Sequence, residues 1–379
     1  MARYKFDQIA HYLNEKRMPT EADRETYIGL EHLDSGNLTV TRWGSDVDIK
    51  GQKLVMHKGD ILFGRRNTYL KRAAIAPHDG LFSAHGMIWR PKEDVVDAGF
   101  FPFFVSSDYF MDEAIRISVG SLSPTINWRD LKELEFDLPD IDTQRKLSTL
   151  LWAMERAKTA YKNLIAKTDE LVKSQFVEMF GHLGKDEKGW GLTTLGECCE
   201  LNPKRPKGIE DSLMVSFVPM PAVSEQGTID CSDIRPYSEV RKGFTYFAEN
   251  DVLFAKITPC MENGKGCIAT GLSNQIGAGS TEFHVLRPID GKSNPYWIYC
   301  ITIMNGFREA ARKVMTGTGG QLRVPISFLD TQPITLPPIS LQEEFEQFFK
   351  QADKSKFAAQ QALADLTATQ KALMRQYLG

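Results

Sequence analysis

No stretch of the 379 residues approaches the ~18 to 20 uninterrupted apolar residues that a membrane span requires. The opening Met1 to Asp7 lacks the apolar core of a signal peptide, so a soluble cytoplasmic protein is expected. Cysteine is missing from the first half: Cys198, Cys199, Cys231, Cys260, Cys267 and Cys300 all lie in the second and form no C-x-x-C. The histidines are scattered without metal or triad spacing, so neither a zinc site nor a disulfide framework is expected. An excess of positive charge is absent too. Lys and Arg number 46 against 49 Asp and Glu, for a net charge of −3, whereas nucleic-acid-binding domains ordinarily carry a basic surplus. Catalytic signatures are equally scarce. No Gly-Lys-Ser/Thr ending marks a phosphate loop, and no carboxylate-lysine cluster marks a nuclease. Asn294-Pro295-Tyr296-Trp297 comes nearest to the element that grips a flipped adenine. It lacks the second Pro and reads better as a turn into a helix around Ile298 to Met304. No catalytic residue, metal ligand or cofactor is expected in this chain.

What the sequence does contain is a duplication. Leu138-Pro139-Asp140-Ile141-Asp142-Thr143-Gln144 returns 198 residues later as Leu336-Pro337-Pro338-Ile339-Ser340-Leu341-Gln342, and the match runs without gaps for 44 residues. Nine positions are identical, Gln144/Gln342 and Lys158/Lys356 among them. The apolar spacing is the stronger signal: Leu147, Leu151, Met154 and Ile165 follow a three-and-four pattern that Phe345, Phe349, Ala352 and Leu363 repeat. Each copy predicts one amphipathic helix of roughly 57 Å. Asp142 and Ser340 are the expected N-caps, with Ser340-x-x-Glu343 as a capping box.

Ahead of each helix lies a strand-rich unit with Gly, Pro and Asp turns, residues 1–137 and 182–335. Echoes between them, Gly59 to Phe63 against Asn250 to Phe254 and Ile88 to Pro91 against Val285 to Pro288, point to common descent. The predicted class is α/β (α+β). Two similar domains are separated by two long helices, 138–181 and 336–379, packed as an antiparallel coiled coil with pseudo-two-fold symmetry. A chain that imitates a two-fold dimer suits a two-fold ligand, and duplex DNA read as two half-sites is the commonest.

The stretch Leu336-Pro-Pro-Ile-x-x-Gln342, its internal copy, Tyr27-Ile28-Gly29-Leu30-Glu31-His32-Leu33 and Asp251 to Lys265 resemble the specificity subunits of Type I restriction-modification enzymes. The opening Trp190-Gly-Leu-Thr-Thr-Leu195 of the second domain is similar to that family as well, whereas the first domain has no such Trp, which leaves its first strands open. The resemblance implies two target recognition domains on double-stranded DNA. It also implies a helix pair docking two methyltransferase subunits through Leu147, Leu151, Met154, Ile165, Phe345, Phe349, Leu363 and Leu366, and two motor-endonuclease subunits joining for cleavage. S-adenosylmethionine, ATP and Mg would belong to those partners. A specificity polypeptide serving a fused methyltransferase-nuclease, and a coiled-coil adaptor that binds proteins, are the alternatives.

Candidate DNA contacts fall in local patches. Arg65, Arg66, Asn67, Tyr69, Lys71 and Arg72 follow an expected strand and mix phosphate-binding with base-reading groups. The corresponding loop of the second domain carries Lys256, Thr258, Asn263 and Lys265. Gln321 and Arg323 follow the turn Gly317-Thr318-Gly319-Gly320, opposite Gly120 to Thr125 of the first domain, and Lys204 and Arg205 form a third basic cluster. A plain solvated loop is the alternative for each patch.

Overall fold

The protein is described by a computed structural model covering residues 1–378. It divides into two compact units, the first comprising residues 1–162 with the stretch from Gln360 onward, the second residues 163–359.

The same antiparallel sheet recurs in both. In the first unit its order is Ala10–Leu13, Met87–Pro91, Ile61–Phe63, Ala73–Ile75; in the second it is Cys199–Leu201, Phe283–Pro288, Val252–Ala255, Gly266–Ile268. The echoing segments are thus sheet neighbours in each copy, with Ile61 opposite Trp89 and Val252 opposite Leu286. An ion pair made by a buried carboxylate explains why both segments keep their polar residues. Asp60 accepts from the His57 backbone N–H and from Arg90 at 2.9 Å, and Asp251 accepts from the Ala248 N–H and from Arg287 at 2.8 and 2.7 Å. Each carboxylate closes the turn before its strand and ties that strand to the next, which satisfies a group that would otherwise be costly to bury. The turns need a left-handed residue just ahead of the Asp, supplied by Gly59 (φ 92°) and Asn250 (φ 67°).

A second sheet differs between the copies. It has three strands in the first unit and four in the second, where Met214–Val218 and Ile276–Gly279 run parallel. Each unit also has a closing pair, Ala2–Lys5 with Glu135–Leu138 and Leu192–Thr194 with Pro333–Thr335. The first unit therefore opens on a strand without the Trp that marks the second.

The long helices are Ile141–Phe180 and Ile339–Leu378, 40 residues each, or roughly 60 Å at 1.5 Å per residue. Their caps differ from the sequence expectation. Asp140, not Asp142, caps the first, its carboxylate accepting from the Thr143 N–H and hydroxyl, both at 2.9 Å. Asp140 is the first acceptor after Pro139, so the helix begins as soon as the chain leaves the proline. In the second, the Pro338 carbonyl accepts from the Leu341 and Gln342 N–H groups, which puts Ser340 inside the first turn rather than at its cap.

The recurring glutamines have a shared task. Gln144 and Gln342 are fully buried, and each amide nitrogen donates to two carbonyls, Pro139 and Val95 for one, Pro337 and Lys292 for the other. Their Oε1 atoms accept from Asp97 and Asn294 N–H groups, both at 2.9 Å. Each helix start is so anchored to the loop that precedes another helix of its unit, Phe101–Ser106 in the first and Pro295–Ile303 in the second.

Within each unit the helices pack antiparallel. In the first, Leu147 and Leu151 share a core with Leu378, and Lys158 reaches Gln370 at 2.8 Å. In the second, Phe176 and Phe180 pack on Phe345, and Lys356 reaches Asp169 at 2.7 Å. The lysine kept at Lys158 and Lys356 clips one helix to the other in both copies.

Candidate nucleic-acid interface

In the first unit the strand Ile61–Phe63 runs out into Arg65 to Arg72, a loop whose Asn67 and Lys71 adopt φ of 53° and 45°. The Gly120 to Thr125 segment folds onto it. Ile126 N–H donates to the Arg65 carbonyl and Asn67 N–H to the Pro124 carbonyl. Arg66 Nε donates to Ser123 Oγ at 2.8 Å, and that hydroxyl donates to Asn67 Oδ1 at 2.9 Å. Two segments that the sequence placed far apart form one edge, with Arg66, Tyr69 and Leu122 exposed on it. Burial, and then Arg66, Arg65 and Lys53, hold the His85 imidazole below its ordinary pKa.

Other cations here are committed internally. Lys71 Nζ sits 2.8 Å from both Asp108 and Asp112, and the Arg72 guanidinium donates to the Leu30 and Arg66 carbonyls. Arg65 Nε is buried without an acceptor among the described residues.

The second unit repeats the plan with different parts. The segment that holds Gly317 to Arg323 is a β-hairpin, Thr316–Thr318 paired with Gln321–Arg323. Gly319 and Gly320 turn it at φ of 63° and 76°, values that favour glycine at both positions. It packs on the loop after Val252–Ala255: Thr258 N–H donates to the Leu322 carbonyl, and Val324 N–H to that of Lys256. Arg323 is bidentate on Glu282 at 2.9 and 2.8 Å, and this contact depresses the carboxyl's pKa. Half-buried Arg308 grips the same loop by donating to the Met261 and Gly264 carbonyls; desolvation pushes its pKa down to about 10. Lys265 donates to the Met220 carbonyl, Thr258 to Glu262, and Arg205 to the Phe244 carbonyl beside the Tyr237 ring. Lys256 is half-buried, and burial lowers its pKa. Lys204, Asn263 and Gln321 present their side chains to solvent.

The nominated residues therefore divide. Arg66, Tyr69, Lys204, Asn263 and Gln321 are exposed, while Lys71, Arg72, Arg205, Lys265 and Arg323 have protein partners. Sequence reasoning missed His85 and Lys53, whose charge, with that of Arg66, acts on the His85 imidazole only once the chain is folded, and missed His284, Glu282 and Arg308. Of the helix residues, Leu147, Leu151 and Phe345 are buried in the cores, and Met154, Ile165, Phe349, Leu363 and Leu366 are half-buried. Leu164 and Leu171, one heptad apart, and Phe357 are exposed instead. Their seven-residue spacing was a legible signal. Among the described residues no cluster of His, Cys, Asp and Glu could hold a metal ion, and no helix is long and apolar enough to cross a membrane.

Residues 187–366 match the family described as "Type I restriction modification DNA specificity domain". The chain is 36% identical over 233 residues to the type I restriction enzyme EcoAI specificity subunit of Escherichia coli, covering 57% of this chain and 38% of that one. To the EcoEI specificity subunit of the same organism it is 38% identical over 195 residues, covering 48% and 32%. The matched stretches thus span less than two-fifths of either relative's length. The fold is like that of the Type-I restriction-modification system S subunit from M. genitalium, with a TM-score of 0.60 over 100% of this chain and 96% of that one, at 12% identity. The specificity-domain match thus covers just under half of the chain, residues 187–366, and the fold along the whole length is like that of an S subunit.

Proposed function

We propose that this chain selects the DNA sequence on which a type I restriction-modification complex acts. Each globular unit reads one half of a bipartite double-stranded target, with residues 1–137 and 182–335 as recognition domains and 138–181 and 336–379 as spacer and docking helices. The carrying observation is the repeated edge: in both copies the loop after Ile61–Phe63 or Val252–Ala255 packs on a segment just ahead of the long-helix boundary, and exposed Arg66 and Tyr69, or Asn263 and Gln321, project there. Arg and Gln suit base edges, and lysines such as Lys204 suit phosphates. The charge balance means few phosphates neutralised by this chain alone, so affinity rests largely on partners. Those partners are two methyltransferase subunits, which bring S-adenosylmethionine, and two motor-endonuclease subunits, which bring ATP and Mg; this chain is non-catalytic and works in the cytoplasm.

Mapping N6-methyladenine in DNA exposed to the chain and its methyltransferase tests the reading. Replacing residues 1–137 with a relative's domain should change one half of the methylated sequence and leave the other intact. A complex whose DNA binding shows no dependence on salt would instead favour a protein-binding adaptor.

A further inference from the structure

We infer that His284 is a positioning residue for the second unit's recognition edge, joining the basic turn at 202–207, the hairpin at 316–323 and the Lys256 loop into one surface. The inference rests on the DNA-reading role proposed above. His284 lies on the strand Phe283–Pro288 and is 5% exposed. Its Nε2 is 2.8 Å from the Val324 carbonyl oxygen. A carbonyl only accepts, so Nε2 carries the proton and Nδ1 is left as an acceptor.

Nδ1 faces Asn202 Nδ2 at 3.3 Å. The orientation of that amide is set by Val285, whose backbone N–H donates to Asn202 Oδ1 at 2.9 Å. An N–H only donates, so Oδ1 must face Val285 and Nδ2 must turn to the imidazole. Asn202 N–H in turn donates to the Val285 carbonyl at 2.7 Å, and its φ of 49° opens the turn that carries Lys204. On the other side Val324 donates to the Lys256 carbonyl at 2.9 Å, and Lys256 N–H to that of Glu282, the partner of Arg323. One neutral imidazole with both nitrogens engaged therefore links three segments nominated for DNA contact. Loops ordered before the ligand arrives lose less freedom on binding, so the linkage favours discrimination.

The first unit supplies an internal control. Met87 holds the equivalent strand position, opposite Phe63 as His284 is opposite Phe254. No hydrogen bond from that side chain can span the loops there.

The test uses the full chain assembled with its methyltransferase partner and maps every methylated site. His284→Met should reduce discrimination by about tenfold in the half-site read by the second unit and leave the other half unchanged. His284→Gln, whose amide keeps a donor toward Val324, should restore most of it. Asn202→Gly keeps the left-handed backbone and removes the side-chain link, so it should broaden the same half-site even if His284→Met does not fold. Unchanged discrimination in folded His284→Met or in Asn202→Gly overturns the positioning role, as does equal broadening of both half-sites or no restoration by Gln. If replacing residues 182–335 leaves the methylated sequence unchanged, the DNA-reading assignment itself fails, and that result is distinct from failure at His284 alone.

Discussion

The two units share a sheet order, a buried Asp paired with a partly exposed Arg, and a buried glutamine, yet they hold their loop edges differently. In the first unit the edge is fastened at the surface through Arg66, Ser123 and Asn67, and apolar Met87 stands where the second unit has His284. In the second it is fastened from beneath by His284 and Arg308. What the copies retain are polar groups whose burial demands a particular partner. What they change are the loops, where water substitutes for a lost contact at little cost. A duplicated scaffold can so present two unlike surfaces.

The sharpest way to break that comparison is to remove the shared ion pair. Asp251→Ala leaves Arg287 and the Ala248 N–H without their acceptor and should cost about 3 kcal/mol in denaturant unfolding. Asp60→Ala should cost about half as much, because Arg90 is 51% exposed against 28% for Arg287 and keeps its hydration. Equal costs would mean that the pairs are equivalent despite their exposure. Gln144→Ala and Gln342→Ala come next. Each removes three hydrogen bonds made by a buried amide and should cost about 2 kcal/mol, alike in the two copies; unequal values in the same unfolding assay would show that the helix starts are not equivalent.

Smaller effects sharpen the contrast between exposed and committed cations. Where Arg66 or Lys204 meets a phosphate, its replacement by Ala should reduce the log-log salt slope of DNA binding by about 0.9. Lys71→Ala should leave the slope unchanged, since Asp108 and Asp112 already hold that ammonium. Titrating the assembled complex with salt decides between them. The least expected effect is on pH. Burial first, then Lys256, depress the His284 pKa, against an opposing pull from the Val324 carbonyl and Glu282. The stabilisation is complete above the ordinary value of 6.5 and is lost as pH falls below it, because the unfolded chain takes up the proton first. Thermal unfolding at about pH 7.5 and about pH 5.5 should therefore show a larger drop for the native chain than for His284→Gln; identical drops would remove His284 from the pH response.

Much of the fold was legible because periodicity and duplication are properties of the chain itself. The repeat at Leu138 and Leu336 marked both long helices, and the echoes around Asp60 and Arg90 marked strands that prove to be neighbours. The caps were not legible at residue level: Asp142 and Ser340 have suitable side chains, but Pro139 and Pro338 release the chain into helix earlier. At the loop edges, residue type indicated chemistry without indicating availability. Lys71, Arg72 and Arg323 look like DNA ligands in sequence, and whether they are spent on Asp108, a carbonyl or Glu282 depends on segments 37 to 42 residues away.

The sequence by itself determined that this protein is a doubled object, with helices of a set length and sheets with a set strand pattern, because spacing along the chain dictates which side chains share a face. Only the tertiary structure decided which polar groups are buried and by what they are satisfied. Burial and hydrogen-bond partnership arise from distant segments meeting in space, and it is that meeting that brings His284, Asn202 and Val324 within reach of one another.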